Sequence, residues 1–378
     1  MVSFWEHKTY FSNLDAIVVG SGIVGLTAAI HIKLSNPKLS VLVVERGFLP
    51  SGASTKNAGF ACFGSPSELL DDIDNFGEDK VFQLVEKRYA GLQYLINLLG
   101  KEYIGYTANG GHEVFDSKHA YERCADRLTY LNGRLDSIIG KDVFSERNNL
   151  LNEYGFANFS HLIANKFEAQ IDTGLMMESL IEKAVGLGVK ILNGISINCI
   201  QSNDKEVVLD TANSSFQLKA KGVIVATNGF AKQLIPSLAV NPARAQVLIT
   251  KPIEKLKLSG SFHFDEGYYY FRNVGNRVLL GGGRNLDKKG ETTYEMGLTD
   301  AIQNKLEQLL RDCILPKAKY EIDMRWSGIM GMESDKSYII KAVYPNVFCA
   351  VRMGGMGVAL GSLVGNEVAD QFIRMFKN

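Results

Sequence analysis

The stretch Ala16-Ile17-Val18-Val19-Gly20-Ser21-Gly22-Ile23-Val24-Gly25 constrains this chain more than any other. An apolar run passes straight into glycines spaced i, i+2 and i+5, and Leu26 to Leu34 follow with apolar residues at helical spacing. Ser40 to Glu45 then forms a second apolar run that ends in an acid. Continuous rather than alternating hydrophobicity marks strands buried on both faces, as parallel strands are. Strand, glycine turn, helix and strand therefore make a βαβ unit. In such a unit Gly20 allows the tight turn, Gly22 lets a pyrophosphate approach the backbone, and Gly25 lets helix and strand pack closely. The helix start, with Ser21 and Ile23 beside it, offers free N–H groups and partial positive charge. Glu45 lies twenty residues beyond Gly25, placed to accept hydrogen bonds from ribose hydroxyls, and its charge disfavours a 2′-phosphate.

Further along, Asp71 to Asn148 reads as an inserted helical segment, with Val81, Val85, Leu92, Leu95 and Leu99 on one face and Tyr121, Cys124, Leu128 and Leu131 on another. A helix over Ile171 to Gly188 precedes the strand Val189 to Leu192, a meander to Leu218 and the buried strand Gly222 to Gly229. From Ala243 to Gly283 the pattern alternates, and Gly275-Asn276 marks a hairpin turn, so an antiparallel sheet is expected there. Thr299 caps a helix with Ile302, Leu306, Leu309 and Leu310 inward, and the chain closes with the strand Val347 to Val351, the turn Gly354 to Gly357 and a last helix.

At 378 residues the chain is long enough for two domains. Equal counts of basic and acidic residues leave no net charge to attract nucleic acid. No apolar run approaches the ~20 residues needed to span a bilayer, and the N-terminus lacks the order of a signal peptide, so a cytoplasmic protein is expected. The five cysteines are far apart, without zinc or disulfide spacing, and read as buried free thiols; the six histidines show no ligand spacing either, so no metal is expected.

Two features favour FAD over NAD. Gly52 to Phe60, a run of small and hydroxylated residues, suits the wrapping of a second part of a long cofactor, and the turn Gly354 to Gly357 could face a developing negative charge. With these pieces in order, the sequence resembles the D-amino-acid oxidase-like FAD-dependent oxidoreductases, which include glycine oxidase, sarcosine oxidase and gamma-glutamylputrescine oxidase. The likeness runs through Gly20 to Gly25, Glu45 to Gly47, Gly52 to Gly59, Val223 to Gly229, Pro242 to Gln246, Tyr268 to Arg272, Gly281 to Arg284, Trp326 to Gly328 and Gly354 to Gly361. It implies a Rossmann-type, glutathione-reductase-like FAD domain over 1–75, 150–235 and 326–378. With it comes an α+β substrate domain on a mainly antiparallel sheet over 76–149 and 236–325.

The resemblance further implies non-covalent FAD held by Gly20, Ser21, Gly22, Ile23, Gly25, Glu45, Arg46, Ala53, Ser54, Asn57, Ala58, Gly59, Thr227, Asn228 and Gly229. Ile197 would meet adenine through its backbone, and Gly354, Gly355, Met356 and Gly357 would lie beside the ring. Such enzymes oxidise a C–N bond of an amine or amino acid, and electrons pass to O₂ or another acceptor. Two departures bear on the substrate. Ile329-Met330-Gly331 stands where amino-acid oxidases of this family carry a carboxylate-binding arginine, and Gly355-Met356-Gly357 replaces a frequent Gly-His-Gly. A thioether cannot substitute for a bidentate guanidinium. By period-2 logic Tyr268, Tyr270 and Arg272 share one strand face, and Tyr269 and Phe271 the other. Tyr268, Tyr270, Arg272 and Arg284 are thus candidate substrate groups, and Lys56 a candidate near the flavin. Competing functions are a flavin dehydrogenase with a non-oxygen acceptor, a nicotinamide-dependent dehydrogenase and a flavin-containing binding protein without turnover.

Overall fold

Five parallel strands form the middle of the first sheet in the computed structural model, which describes residues 2–212 and 216–376. Leu14–Val19 is central, between Val41–Glu45 and Gln217–Val225; Lys190–Asn193 and Val347–Val351 lie outside these. The Val- and Ile-rich runs of Leu14–Val19, Val41–Glu45 and the second half of Gln217–Val225 are buried on both faces, as continuous hydrophobicity requires, whereas Lys190–Asn193 is only half-buried. Antiparallel strands complete the sheet, Ile339–Tyr344 on one edge and the ribbon Ile197–Ser202 and Val207–Thr211 on the first half of Gln217–Val225.

Helices Ile23–Ser35, Thr173–Gly186 and Gly357–Arg374 cover one face and share its apolar cluster. The first and last of these run side by side in the same direction, Gly361 against Ile23 and Gly365 against Thr27. A Cβ on Gly365 would lie 2.6 Å from the Val24 carbonyl oxygen, so only glycine permits this approach. Both helix N-termini consequently point the same way.

The second sheet has eight strands in the order Ile322–Met332, Asn241–Thr250, Arg277–Gly282, Tyr269–Val274, Ser261–Phe264, Gly111–Phe115, His161–Asn165 and Phe144–Glu146. It is mixed: Ser261–Phe264 pairs in parallel with Gly111–Phe115, and the other neighbours pair antiparallel. Its turn at Gly275-Asn276 joins Val274 to Arg277 directly. On one face Phe262 and Phe271 stack at 4.7 Å in an apolar core closed by helix Asp300–Leu309.

Two expectations need correction. The stretch 71–148 is not wholly helical, because Gly111–Phe115 forms a strand whose five residues are all buried. Its polar pair His112-Glu113 is buried, so the sequence shows neither the alternation nor the apolar run of an ordinary strand. Domain limits at 150 and 326 also cut the second sheet, since His161–Asn165 belongs to it and Ile322–Met332 straddles the latter. Among the described residues no helix is long and apolar enough to cross a membrane. The cysteines are free; Cys62, Cys124 and Cys349 are buried, whereas Cys199 is exposed and Cys313 half-buried.

Candidate active site

A cleft of about 960 Å³ follows the C-terminal ends of the parallel strands and continues between the two sheets. At its first end Gly20 adopts φ 105°, a left-handed conformation, and a Cβ there would meet the Ala226 carbonyl oxygen at 2.8 Å. A Cβ on Gly25 would come within 1.9 Å of the Gly20 oxygen, so Gly25 serves helix–strand packing and does not line the cleft. Gly22 and Ile23 do line it. The Ile23 N–H donates to Ser54 Oγ at 3.0 Å, and a Cβ on Gly22 would lie 2.8 Å from that oxygen. Here the helix N-terminus faces the cleft with its N–H groups and positive dipole end.

Glu45, at the end of its strand, accepts from Ser21 N–H at 3.2 Å, Ser21 Oγ–H at 3.0 Å and Gly47 N–H at 3.0 Å. Ser21 is therefore a buried strut for Glu45, away from the cleft wall. Glu45 itself lines the cleft with Arg46, Ile197 and Thr227. Arg46 sits over the Phe230 ring at 3.8 Å. Asn228 lines the wall while its Oδ1 accepts from the Arg352 and Met353 N–H groups, fixing the approach to Gly354. Gly229 packs out of the cleft, where a Cβ would lie 2.4 Å from the Met330 oxygen.

Ala53, Ser54, Asn57, Ala58 and Gly59 line the middle, and Asn57 Oδ1 accepts from the Gly59 N–H. Gly354, Gly355, Met356 and Gly357 stand opposite at the start of the last helix, and a Cβ on Gly354 or Gly355 would meet nothing within 4 Å. Two helix N-termini thus converge on this cleft.

Beyond that turn the wall changes character. Phe60, Tyr268 and Tyr270 contribute aromatic surface, and Ile329 and Met330 line the cleft from the strand Ile322–Met332. Burial pushes the Tyr270 hydroxyl up to about 12, so it stays a neutral phenol. Lys56 and Arg284 line the cleft and form no ion pair among the described residues. Arg272 departs from expectation. It shares the Tyr270 strand face, but its guanidinium donates to the carbonyl oxygens of Gly59 at 2.7 Å and Ile171 at 2.9 Å, and it does not line the cleft. Burial lowers its pKa to about 10, with Asp172 opposing, which leaves it a cation that staples the 53–60 loop to the second sheet.

An ionic group that sequence spacing hides completes this end. Lys336 Nζ meets Glu68 at 3.2 Å and Asp72 at 2.7 Å, while Arg88 lies 3.7 Å from Glu68. Burial acts to raise the Glu68 carboxyl, but Lys336, Arg88 and His263 outweigh it and hold the group below its ordinary value. His263 lines the cleft with Nε2 3.0 Å from Glu168 Oε2; burial lowers its basicity, yet Glu168, Glu68 and Glu113 together hold it above the usual value. One signal was legible. Arg88 falls on the apolar stripe Val81, Val85, Leu92, Leu95 of its helix, a buried position that calls for a partner.

Sequence comparison places these observations in a class. Residues 15–371 match the profile of the FAD dependent oxidoreductase family, so the chain belongs to that family and is an FAD-dependent enzyme. It is 23% identical to OrdL of Haemophilus influenzae over 97% of this chain and 84% of that protein. With the gamma-glutamylputrescine oxidoreductase of Escherichia coli identity is 24%, over 94% and 83%. Glycine oxidase from Bacillus cereus superposes with a TM-score of 0.78 at 14% identity, over 96% of this chain and 95% of that one.

FAD fits the residues present. Two helix N-termini face one elongated cleft, Glu45 retains one unused lone pair of about four beyond its three hydrogen bonds, and the Gly354-Gly355 backbone stands open beside Met356.

Proposed function

We propose that the chain oxidises a C–N bond of an amine or amino acid to an imine, which hydrolyses. When bound, FAD supplies a hydride acceptor at N5. Gly20, Gly22, Ile23, Glu45, Arg46 and Ile197 are read as holding its nucleotide half, and Ala53, Ser54, Asn57, Ala58, Gly59, Thr227, Asn228 and Gly354 to Gly357 the rest. Ser21, Gly25 and Gly229 support that cradle from behind. Residues 1–75, 150–235 and 326–378, less the second-sheet strands, form the FAD part in this reading. We place the enzyme in the cytoplasm, with O₂ or another acceptor taking the electrons.

The observation that carries the substrate reading is the cleft wall beyond Met356, where aromatic groups and a balanced ion network line the cavity. Tyr268, Tyr270 and Phe60 orient an apolar stem, and desolvation against these rings favours the neutral amine over its ammonium form. Ile329 and Met330 offer no partner for a carboxylate next to the oxidised carbon, and Arg272 is occupied by two carbonyls. Arg284, and Lys56 within the 53–59 loop, are the cleft cations read as available to receive an acid group at a remove. A secondary amine, or an amino compound whose acid lies far from the oxidised carbon, fits better than a simple D-amino acid. Product analysis with glycine, D-alanine, D-proline, sarcosine and N-substituted diamines tests this. Imine-derived carbonyl product from the diamines or sarcosine is expected; turnover confined to glycine and D-alanine would overturn the preference.

A further inference from the structure

Cys62, Glu168 and His263 come from three distant parts of the chain and meet at the cleft wall, all buried. One potential ligand atom of each lies within 4.8 Å of the others. His263 Nε2 and Glu168 Oε2 are 3.0 Å apart, close to the spacing of two ligands on one ion. The second Glu168 oxygen, Oε1, is buried with no hydrogen-bond partner, an unsatisfied acceptor on a residue 1% exposed. Such an orphan costs free energy unless something binds it. Among the described residues the Cys62 thiol has one hydrogen-bond partner, the Met356 sulfur at 3.8 Å. Cys62, His263 and Met356 line the cleft, whereas Glu168 stands behind them, so the thiol and the imidazole are reachable from the cavity.

We propose that Cys62, His263 and Glu168 form a binding site for a thiophilic divalent cation, Zn²⁺ being the probe of choice, in the wall of the cleft. Sulfur, imidazole and carboxylate are the donor types zinc takes, and three protein ligands with a fourth position open to the cavity is a zinc arrangement. The thiolate forms as Cys62 loses its proton to solvent, and any proton on His263 Nε2 leaves likewise. With a protonated histidine the exchange conserves charge, since one Zn²⁺ replaces two protons. Nothing is oxidised or reduced. The cation would occupy space on the side of Phe60 and Tyr270, whose rings form a T-shaped chain with His263. Inhibition of turnover, reversed by a chelator, follows from that position; this consequence rests on the amine reading, whereas metal binding does not.

The test is equilibrium dialysis of untagged, FAD-loaded enzyme against Zn²⁺, with zinc-edge X-ray absorption of the loaded protein. One Zn²⁺ per chain is expected, with one sulfur at about 2.3 Å and nitrogen or oxygen at about 2.0–2.2 Å. Affinity should fall by more than about tenfold in Cys62→Ser and in Glu168→Gln, each checked by circular dichroism and flavin content for retention of the fold. Absence of stoichiometric zinc, a shell without sulfur, or equal affinity in wild type and a folded Cys62→Ser would overturn the site.

Discussion

Arg272 and Glu113 show how far a single side chain's role depends on what surrounds it. Alternation alone offers Arg272 to a substrate, but its two carbonyl partners make it a structural cation. Arg272→Ala should therefore lower stability by roughly 2–4 kcal/mol, through the loss of two charge-assisted hydrogen bonds. Denaturant unfolding checks this, and an unchanged midpoint with a raised KM for carboxylate substrates would return Arg272 to the site. Glu113 is buried beneath Ser65 and Ser67, which donate to it, and burial still raises its carboxyl to about 7. A carboxyl whose folded pKa exceeds its unfolded one binds more protons in the native state. Stability consequently falls as pH rises from about 4.5 to about 7 and levels off above, by about 3 kcal/mol in all. Glu113→Gln should flatten that fall; urea unfolding near pH 5 and pH 8 would show equal losses in both proteins if the carboxyl were not its source.

At the level of elements, the glycine turn and the helix pair govern flavin retention. Gly22→Val places branched bulk where Ser54 and a pyrophosphate must approach the Ile23 N–H, so the purified variant should be colourless yet folded. Wild-type flavin content in that variant would show the turn to be an empty one. Gly365→Val would push the last helix off Ile23–Ser35, since its first side-chain atom already meets a backbone oxygen. A melting temperature lowered by several degrees, with weaker flavin retention, is expected, and calorimetry with flavin quantification decides it. Elements were also where sequence was most readable. The strand, turn and helix at 14–35 and the hairpin at Gly275-Asn276 each obey one local rule, period or turn chemistry, and fold accordingly. Gly111–Phe115 obeys none, because its buried His112 and Glu113 are satisfied by partners distant in sequence, Ser261 and Ser67 among them.

Across the whole molecule, the cleft joins segments that sequence keeps three hundred residues apart, and this limited what could be read of the site. The nucleotide end is written locally, in glycines whose backbones do the binding. The other end is assembled by tertiary contact: Glu68, Arg88, Glu168, His263 and Lys336 have no mutual spacing, and only the second sheet brings them against the helices. The central claim is that this joint cleft takes a hydride from the carbon beside an amine nitrogen. Anaerobic rapid mixing of the yellow holoenzyme with sarcosine or an N-substituted diamine, protiated or deuterated at that carbon, tests it most directly. The account predicts bleaching of the flavin band that slows several-fold on deuteration; bleaching by reduced nicotinamide but by no amine or amino acid would contradict it.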